Sequence, residues 1–298
     1  MNADILLTGA KGQLGFEVTR RAAAHGLTVF GVDVDELDIR DADAVQRMIA
    51  AIGPKVVVNA AAHTAVDRAE SEVDLSFAVN RDGPANLAAA CAAAGIGLVH
   101  VSTDYVFDGA KVGAWVEDDP IAPLGVYGAS KAAGEAAVRA ALPAHVILRT
   151  AWVYGVHGAN FVKTMLRVSK TRDRLTVVDD QHGCPTHAGD LAEAILSISR
   201  RIVDHAMPAG GWGTFHCSGQ GATTWCGFAR EIFRQAAPRL ARVPEVAAIP
   251  TSDYPTPAKR PANSVLDCER LARVHGIRLR PWPEALAEVL AETPIEDL

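Results

Sequence analysis

Short apolar runs alternate with stretches of helical periodicity along the first half of the chain. Ile5-Leu6-Leu7-Thr8, Thr28-Val29-Phe30-Gly31-Val32, Val56-Val57-Val58-Asn59, Gly97 to Ser102 and Val146-Ile147-Leu148 each read as a short buried strand. Between them lie helical patterns from Leu14 to His25 (closed by Gly26), from Asp41 to Ile52, around Pro84 to Ala94, and from Tyr127 to Ala141. Near-continuous apolar strands separated by helices predict an α/β fold, a doubly wound parallel sheet covered on both faces. Its crossovers are right-handed, and its ligand crevice lies outside the carboxyl ends of the strands. Beyond about residue 150 the pattern loosens into turn-rich stretches such as Gly183-Cys184-Pro185-Thr186 and Pro208-Ala209-Gly210-Gly211. The expected division is therefore residues 1–150 as the sheet domain and residues 151–298 as a smaller C-terminal lobe, partly interleaved with it.

Composition narrows the function classes. Of the 298 residues 49% are hydrophobic and 21% charged, which supplies a substantial core and excludes wholesale disorder. The net charge of -6, with no basic block, argues against nucleic acid or an anionic membrane as a partner. Cys91, Cys184, Cys217, Cys226 and Cys268 are odd in number and contain no Cys-x-x-Cys pair, so neither a disulfide framework nor a zinc site is expected. His182, His187 and His216 lack ligand spacing, and no metal site is assigned. Met1-Asn2-Ala3-Asp4 passes straight into the first strand, with no cleavable leader and no apolar stretch of spanning length, so a soluble cytoplasmic protein is expected.

The chemistry concentrates at strand ends. Gly9, Gly12 and Gly15 form G-x-x-G-x-x-G between the first strand and the first helix. There Gly9 permits a tight turn, Gly12 a close approach of a pyrophosphate, and Gly15 close packing of helix on sheet. The helix N-terminus, with Gln13 and Leu14, offers free N–H groups to the anion. Such a turn marks residues 1–150 as a Rossmann-type dinucleotide-binding domain. Asp33 ends the second strand, where a carboxylate accepts hydrogen bonds from a ribose 2′-hydroxyl; Arg40 stands nearby, so NADPH and NADH both remain open as cofactors. Tyr127 and Lys131 are four apart and share a helix face. A phenol there can donate a proton, and a neighbouring ammonium is expected to lower its pKa. Thr103 ends the Gly97 strand beside the predicted nicotinamide, where its hydroxyl can polarise a carbonyl. Cys184 has no base beside it and is not read as a nucleophile.

These motifs together resemble the extended short-chain dehydrogenase/reductase superfamily. Asn59-Ala60-Ala61-Ala62-His63-Thr64-Ala65-Val66-Asp67, Ser102 to Gly109, and Arg260-Pro261-Ala262-Asn263-Ser264 narrow the resemblance to the dTDP-4-dehydrorhamnose reductase family, over nearly the whole chain. The resemblance implies that Thr103, Tyr127 and Lys131 form the catalytic trio, with Tyr127 as proton donor. It implies further that Gly12, Gln13, Leu14, Asp33, Asp38, Ile39, Ala62, His63, Thr64, Thr103, Asp104, Tyr127 and Lys131 line the dinucleotide. Trp152 matches the family's sugar-nucleotide contact, Arg260 is the matched partner for the diphosphate, and Asn263 belongs to the same substrate-binding set. Lys163 and Lys259 are weaker cationic candidates, and Asn80 resembles the superfamily's supporting helix asparagine. The implied reaction is NAD(P)H-dependent reduction of a nucleotide sugar at a C4 ketone, in a chain that the family would let form a homodimer. Two alternatives stand beside it: an extended-family epimerase or 4,6-dehydratase, and a non-catalytic NADP-binding regulatory subunit like the beta subunit of methionine adenosyltransferase. The dehydratase reading is weakened because Asp104 is followed by Tyr105 and not by Glu.

Overall fold

The computed structural model describes residues 3–295; the last three residues of the expected C-terminal lobe, 296–298, and Met1-Asn2 lie outside the described residues. The apolar runs become β1 (Ile5–Thr8), β2 (Val29–Val32), β3 (Val56–Asn59), β4 (Gly97–Thr103) and β5 (His145–Thr150). Helices α1 (Gln13–Arg21), α2 (Ala42–Ile52), α3 (Val66–Ala69), α4 (Val73–Phe77), α5 (Gly83–Ala94) and α6 (Val126–Ala141) connect them. The second half contributes short strands β6 (Val153–Tyr154), β7 (Arg174–Val178), β8 (His182–Gly183) and β9 (Thr186–His187), then β10 (Gly213–His216), β11 (Thr223–Thr224) and β12 (Glu245–Ile249). Its helices are α7 (Phe161–Ser169), α8 (Ala188–Val203), α9 (Trp225–Ala236), α10 (Glu269–His275) and α11 (Trp282–Glu292).

The main sheet has the order β2-β1-β3-β4-β5-β10 and is parallel throughout. Alternation along each strand divides the core in two. Ile5, Leu7, Val56, Val58 and Leu148 face α1 and α8, whereas Leu6, Val57, Leu98 and Ile147 face α2, α5 and α6. Two elements beyond residue 150, β10 and α8, complete this layered unit, and Phe215 of β10 pairs in register with Leu148. A separate core joins Tyr154 to α7, α9 and α11 through Val162, Leu166, Phe228, Ile232 and Leu286. Because β1 lies between β2 and β3, the chain leaves it first to one side and then to the other. The crevice opens at that switch point. Among the described residues no helix is long and apolar enough to cross a membrane.

One element departs from the sequence pattern. A π-helical turn, Ala78–Asp82, precedes α5 and feeds Asn80 into the interior. The widened turn lets α6 approach so closely that a Cβ on Gly134 would lie 2.0 Å from the Asn80 carbonyl oxygen.

Candidate active site

A cleft of about 820 Å³ lies at the carboxyl ends of β1 to β5. The glycine turn forms its floor. Gly9 has φ +74°, and a Cβ there would lie 2.6 Å from the Ala61 nitrogen. A Cβ on Gly15 would lie 2.2 Å from the Gly9 carbonyl oxygen, so the turn and α1 touch backbone to backbone. The first bond of α1 runs from the Phe16 N–H to the Gly12 oxygen, 2.9 Å, which leaves the amides of Gln13, Leu14 and Gly15 without helical acceptors. All three residues line the cleft. Gly12 adds no side chain between these donors and an incoming anion, so the floor fits a diphosphate.

At one end of the cleft Asp33 accepts the Lys11 N–H (3.0 Å) and the Val34 N–H (2.9 Å). Lys11 and Arg40 stand at the same end, each held by carboxylates: Lys11 by Asp35 and Glu36, Arg40 by Asp38. The Arg40 guanidinium keeps Asp38 below the usual carboxylate range. Ile39 packs against Gly83 at the start of α5. After β3, Ala62, His63 and Thr64 line the wall. Asn80 clamps that segment, accepting the His63 N–H (2.8 Å) and donating to the His63 carbonyl and to Ser130 on α6, both at 3.0 Å.

The structure brings Thr103, Tyr127 and Lys131 together at the other end. Thr103 ends β4; Tyr127 and Lys131 occupy successive turns of α6. The helix sits directly on the turn after β4, since a Cβ on Gly128 would lie 2.2 Å from the Tyr105 oxygen. Glu70, which the sequence patterns did not single out, accepts the Val126 N–H at 2.9 Å and anchors the helix start. Lys131 is buried, donates to the Val101 oxygen at 2.7 Å, and is lowered to about 8 by burial, with Glu135 opposing.

Two expectations need correction. Tyr127 is not lowered by Lys131: burial pushes its phenol up to about 12, Asp104 adds to the rise, and the one opposing influence is Thr103. The Lys131 ammonium is turned to a backbone carbonyl instead. Nor is the Thr103 hydrogen free for a carbonyl, because it is donated to Asp104 Oδ1 at 2.9 Å. Asp104 is buried, and burial raises its carboxyl to about 6.

Trp152, with φ +49°, stacks face to face on Trp225 at 3.6 Å between ring centroids, and both line the cleft. Gly183 lies beneath the indole, where any Cβ would fall 2.5 Å from the ring. Trp225, at the start of α9, escaped the sequence reading because nothing local distinguishes it from a core aromatic. Arg260 and Asn263 are not brought into the cleft lining. Arg260 pairs in two-pronged fashion with Asp67 (2.9 and 2.8 Å). Asn263 donates to the carbonyls of Lys111 and Gly113, 2.8 and 2.7 Å, closing a loop. Of that segment it is Ser264 that reaches the site, beside the Asp104 carboxyl. Lys163 donates to the Gly158 oxygen, and Lys259 is exposed.

The family model of the RmlD substrate binding domain matches residues 2–295. A dTDP-4-dehydrorhamnose reductase from Sinorhizobium fredii is 44% identical over 281 residues, 94% of each chain. A solved dTDP-4-dehydrorhamnose reductase from Clostridium acetobutylicum superposes with TM-score 0.90 at 42% identity, over 98% of this chain and 99% of that one. Another, from Bacillus anthracis in complex with NADP, gives 0.89 at 36% identity, over 98% and 100%.

Proposed function

The chain belongs to the RmlD family, that of the dTDP-4-dehydrorhamnose reductases, and on that premise we propose that it reduces the C4 ketone of dTDP-4-dehydro-6-deoxy-L-mannose to give dTDP-L-rhamnose. It is an NAD(P)H-dependent oxidoreductase of dTDP-rhamnose synthesis. The observation that carries the reading is the meeting of Tyr127, Lys131 and Thr103 at the open end of a cleft floored by a glycine turn.

When bound, the reduced nicotinamide supplies the hydride. The free amides of Gln13, Leu14 and Gly15, above Gly9 and Gly12, hold the diphosphate. Asp33 takes ribose hydroxyls, which suits NADH; Lys11 and Arg40 at the same end would serve a 2′-phosphate by sharing or exchanging their partners Asp35, Glu36 and Asp38, so NADPH is served as well. Asp38, Ile39, Ala62, His63 and Thr64 form the walls along the dinucleotide. Tyr127, kept protonated by burial, donates its proton to the oxygen of the reduced ketone. Lys131 keeps two ammonium hydrogens beyond the one given to Val101, and these orient the nicotinamide ribose. Trp152, backed by Trp225, offers a flat apolar face to the nucleotide sugar. Arg260 and Asn263 serve this side by holding its loops. Residues 1–150 thus supply mainly the dinucleotide side, and residues 151–298 mainly the substrate side. The five cysteines are all free, in keeping with the cytoplasm, where we place the reaction.

The test is coenzyme oxidation, followed by absorbance, with the 4-keto sugar generated in situ. Oxidation that depends on the keto sugar is expected with NADPH or NADH, and Tyr127→Phe should lose about a hundredfold or more in rate. Coenzyme binding without turnover under either coenzyme would overturn the enzyme reading in favour of a regulatory subunit.

A further inference from the structure

Thr103 carries a single hydroxyl hydrogen, and the structure shows where it goes. It is donated to Asp104 Oδ1 at 2.9 Å, while the Thr103 oxygen accepts the Tyr105 N–H at 3.2 Å. The Tyr127 phenol faces the lone pair that remains on that oxygen. In this state Thr103 can accept a hydrogen bond from a phenol or a sugar hydroxyl, but it has nothing to donate to a ketone. The other oxygen of the carboxyl, Asp104 Oδ2, is buried with no partner at full hydrogen-bond distance, the Ser264 hydroxyl facing the carboxyl from farther off, a costly arrangement for a charged group and one that a proton relieves.

We propose that Asp104 is a positioning residue that acts through Thr103. Ionised, it holds the Thr103 hydrogen away from the substrate ketone; protonated, it donates to Thr103 Oγ1 and turns that hydrogen onto the ketone oxygen. No bond other than hydrogen bonds changes: the carboxyl takes its proton from solvent and keeps it, and the proton consumed in the reaction still comes from Tyr127. A second donor at the oxygen where negative charge develops stabilises the transition state. The inference rests on the ketone-reductase reading.

The surroundings leave this carboxyl free to change state. Facing it are Tyr105 from its own turn, Tyr127 from α6, Cys184 from the segment between β8 and β9, and Ser264. The cations of the neighbourhood are committed elsewhere, Lys131 to the Val101 oxygen and Arg260 to Asp67. Burial raises the carboxyl to about 6, and Ser264 and Thr103 oppose that rise. The change of state therefore falls near neutrality and well apart from that of Lys131, at about 8.

The test is the pH dependence of kcat/KM for the keto sugar at saturating coenzyme. In the wild type it should fall about tenfold as pH rises through about 6. Asp104→Asn, which cannot ionise, should lose this limb whichever amide atom faces Thr103; Thr103→Val should lose it and stay at the low level. Ser264→Ala should move the midpoint upward, because Ser264 favours the ionised form. A limb that survives in Asp104→Asn or Thr103→Val, or a loss that is uniform in pH, would overturn the proposal. Infrared difference spectra supply a readout that needs no turnover. A protonated-carboxyl C=O band should grow as pH is lowered through about 6, vanish in Asp104→Asn and shift in frequency in Thr103→Val. A missing or unshifted band overturns the pairing whatever the enzyme does. A band that behaves as described in a protein without keto-sugar turnover overturns the reductase reading alone.

Discussion

A methyl group on Gly15 would sit 2.2 Å from the Gly9 carbonyl oxygen, against backbone that cannot turn aside. Gly15→Ala should therefore push α1 off the turn, lowering stability by about 1–3 kcal/mol and weakening NADPH binding, as read by thermal melting and coenzyme fluorescence. Lys131 gives a prediction of a different kind. Its ammonium is lowered to about 8 by burial, so the charged form is lost as pH rises through that value. Activity should fall on the alkaline side around pH 8, while Tyr127, at about 12, still holds its proton. At the end of the cleft where we place the sugar, Trp152 and Trp225 stack as one surface. Trp152→Ala and Trp225→Ala should each raise KM for the nucleotide sugar about tenfold, in line with the loss of an aromatic contact worth roughly 1 kcal/mol or more, and should change kcat less. Steady-state kinetics separate the two effects.

Helix α6 carries Tyr127, Lys131 and Glu135 at intervals of four, on one face. Glu135 is buried and receives Arg149 of β5 in a two-pronged pair, 2.8 and 2.7 Å. Arg149 also donates to the Glu117 oxygen at 3.2 Å, so strand, helix and the loop before α6 are tied at one point. Replacing Arg149 by Met leaves the buried Glu135 with only the half-exposed Arg139, at 3.1 Å, as its cation, and urea unfolding should show a loss of up to about 3–5 kcal/mol. The Glu135→Leu, Arg149→Met double variant should recover much of it, since neither charge is then stranded. A second tie runs from the segment after β6 to the glycine turn. His157 donates to the Lys11 oxygen at 3.0 Å and stacks on Phe16, and Asn160 donates to Gln13 at 3.0 Å while capping α7. The C-terminal lobe thereby grips the first turn of α1, where the coenzyme's diphosphate is expected.

Across the whole molecule, buried ionisable groups set the response to acid. His100 and His216 are held neutral by burial, His216 down to about 3 and His100 well below the ordinary value. Below about pH 6.5 the unfolded chain takes up protons that these two histidines refuse in the fold, so stability falls as pH falls. Asp104 acts in the opposite sense between about 6 and 4, binding its proton more readily in the fold. Two histidines against one carboxyl leave a net loss of about 1.4 kcal/mol per pH unit from these groups near pH 5. Denaturant titrations at neighbouring pH values check the slope.

Strands β1 to β5, the glycine turn and the Tyr127–Lys131 spacing were legible in the amino-acid order because each rests on local physics. Alternation sorts side chains to the two faces of a sheet, the turn needs glycine where a Cβ would collide, and four residues make a helical turn. What escaped was non-local. The π-helical turn that presents Asn80 meets α6, from a distant part of the chain, at Gly134. Arg260 was expected at the substrate and instead meets Asp67, far back in the chain. The stack of Trp152 on Trp225 joins two separate segments, and the bond from Thr103 to its neighbour Asp104, though local in the chain, is enclosed by distant segments that bury both. By itself the sequence determined the layered fold, the family and the identity of the chemical groups. Tertiary structure alone decided their protonation and the direction of their hydrogen bonds, because burial and long-range partners set both, and neither leaves a local mark on the chain.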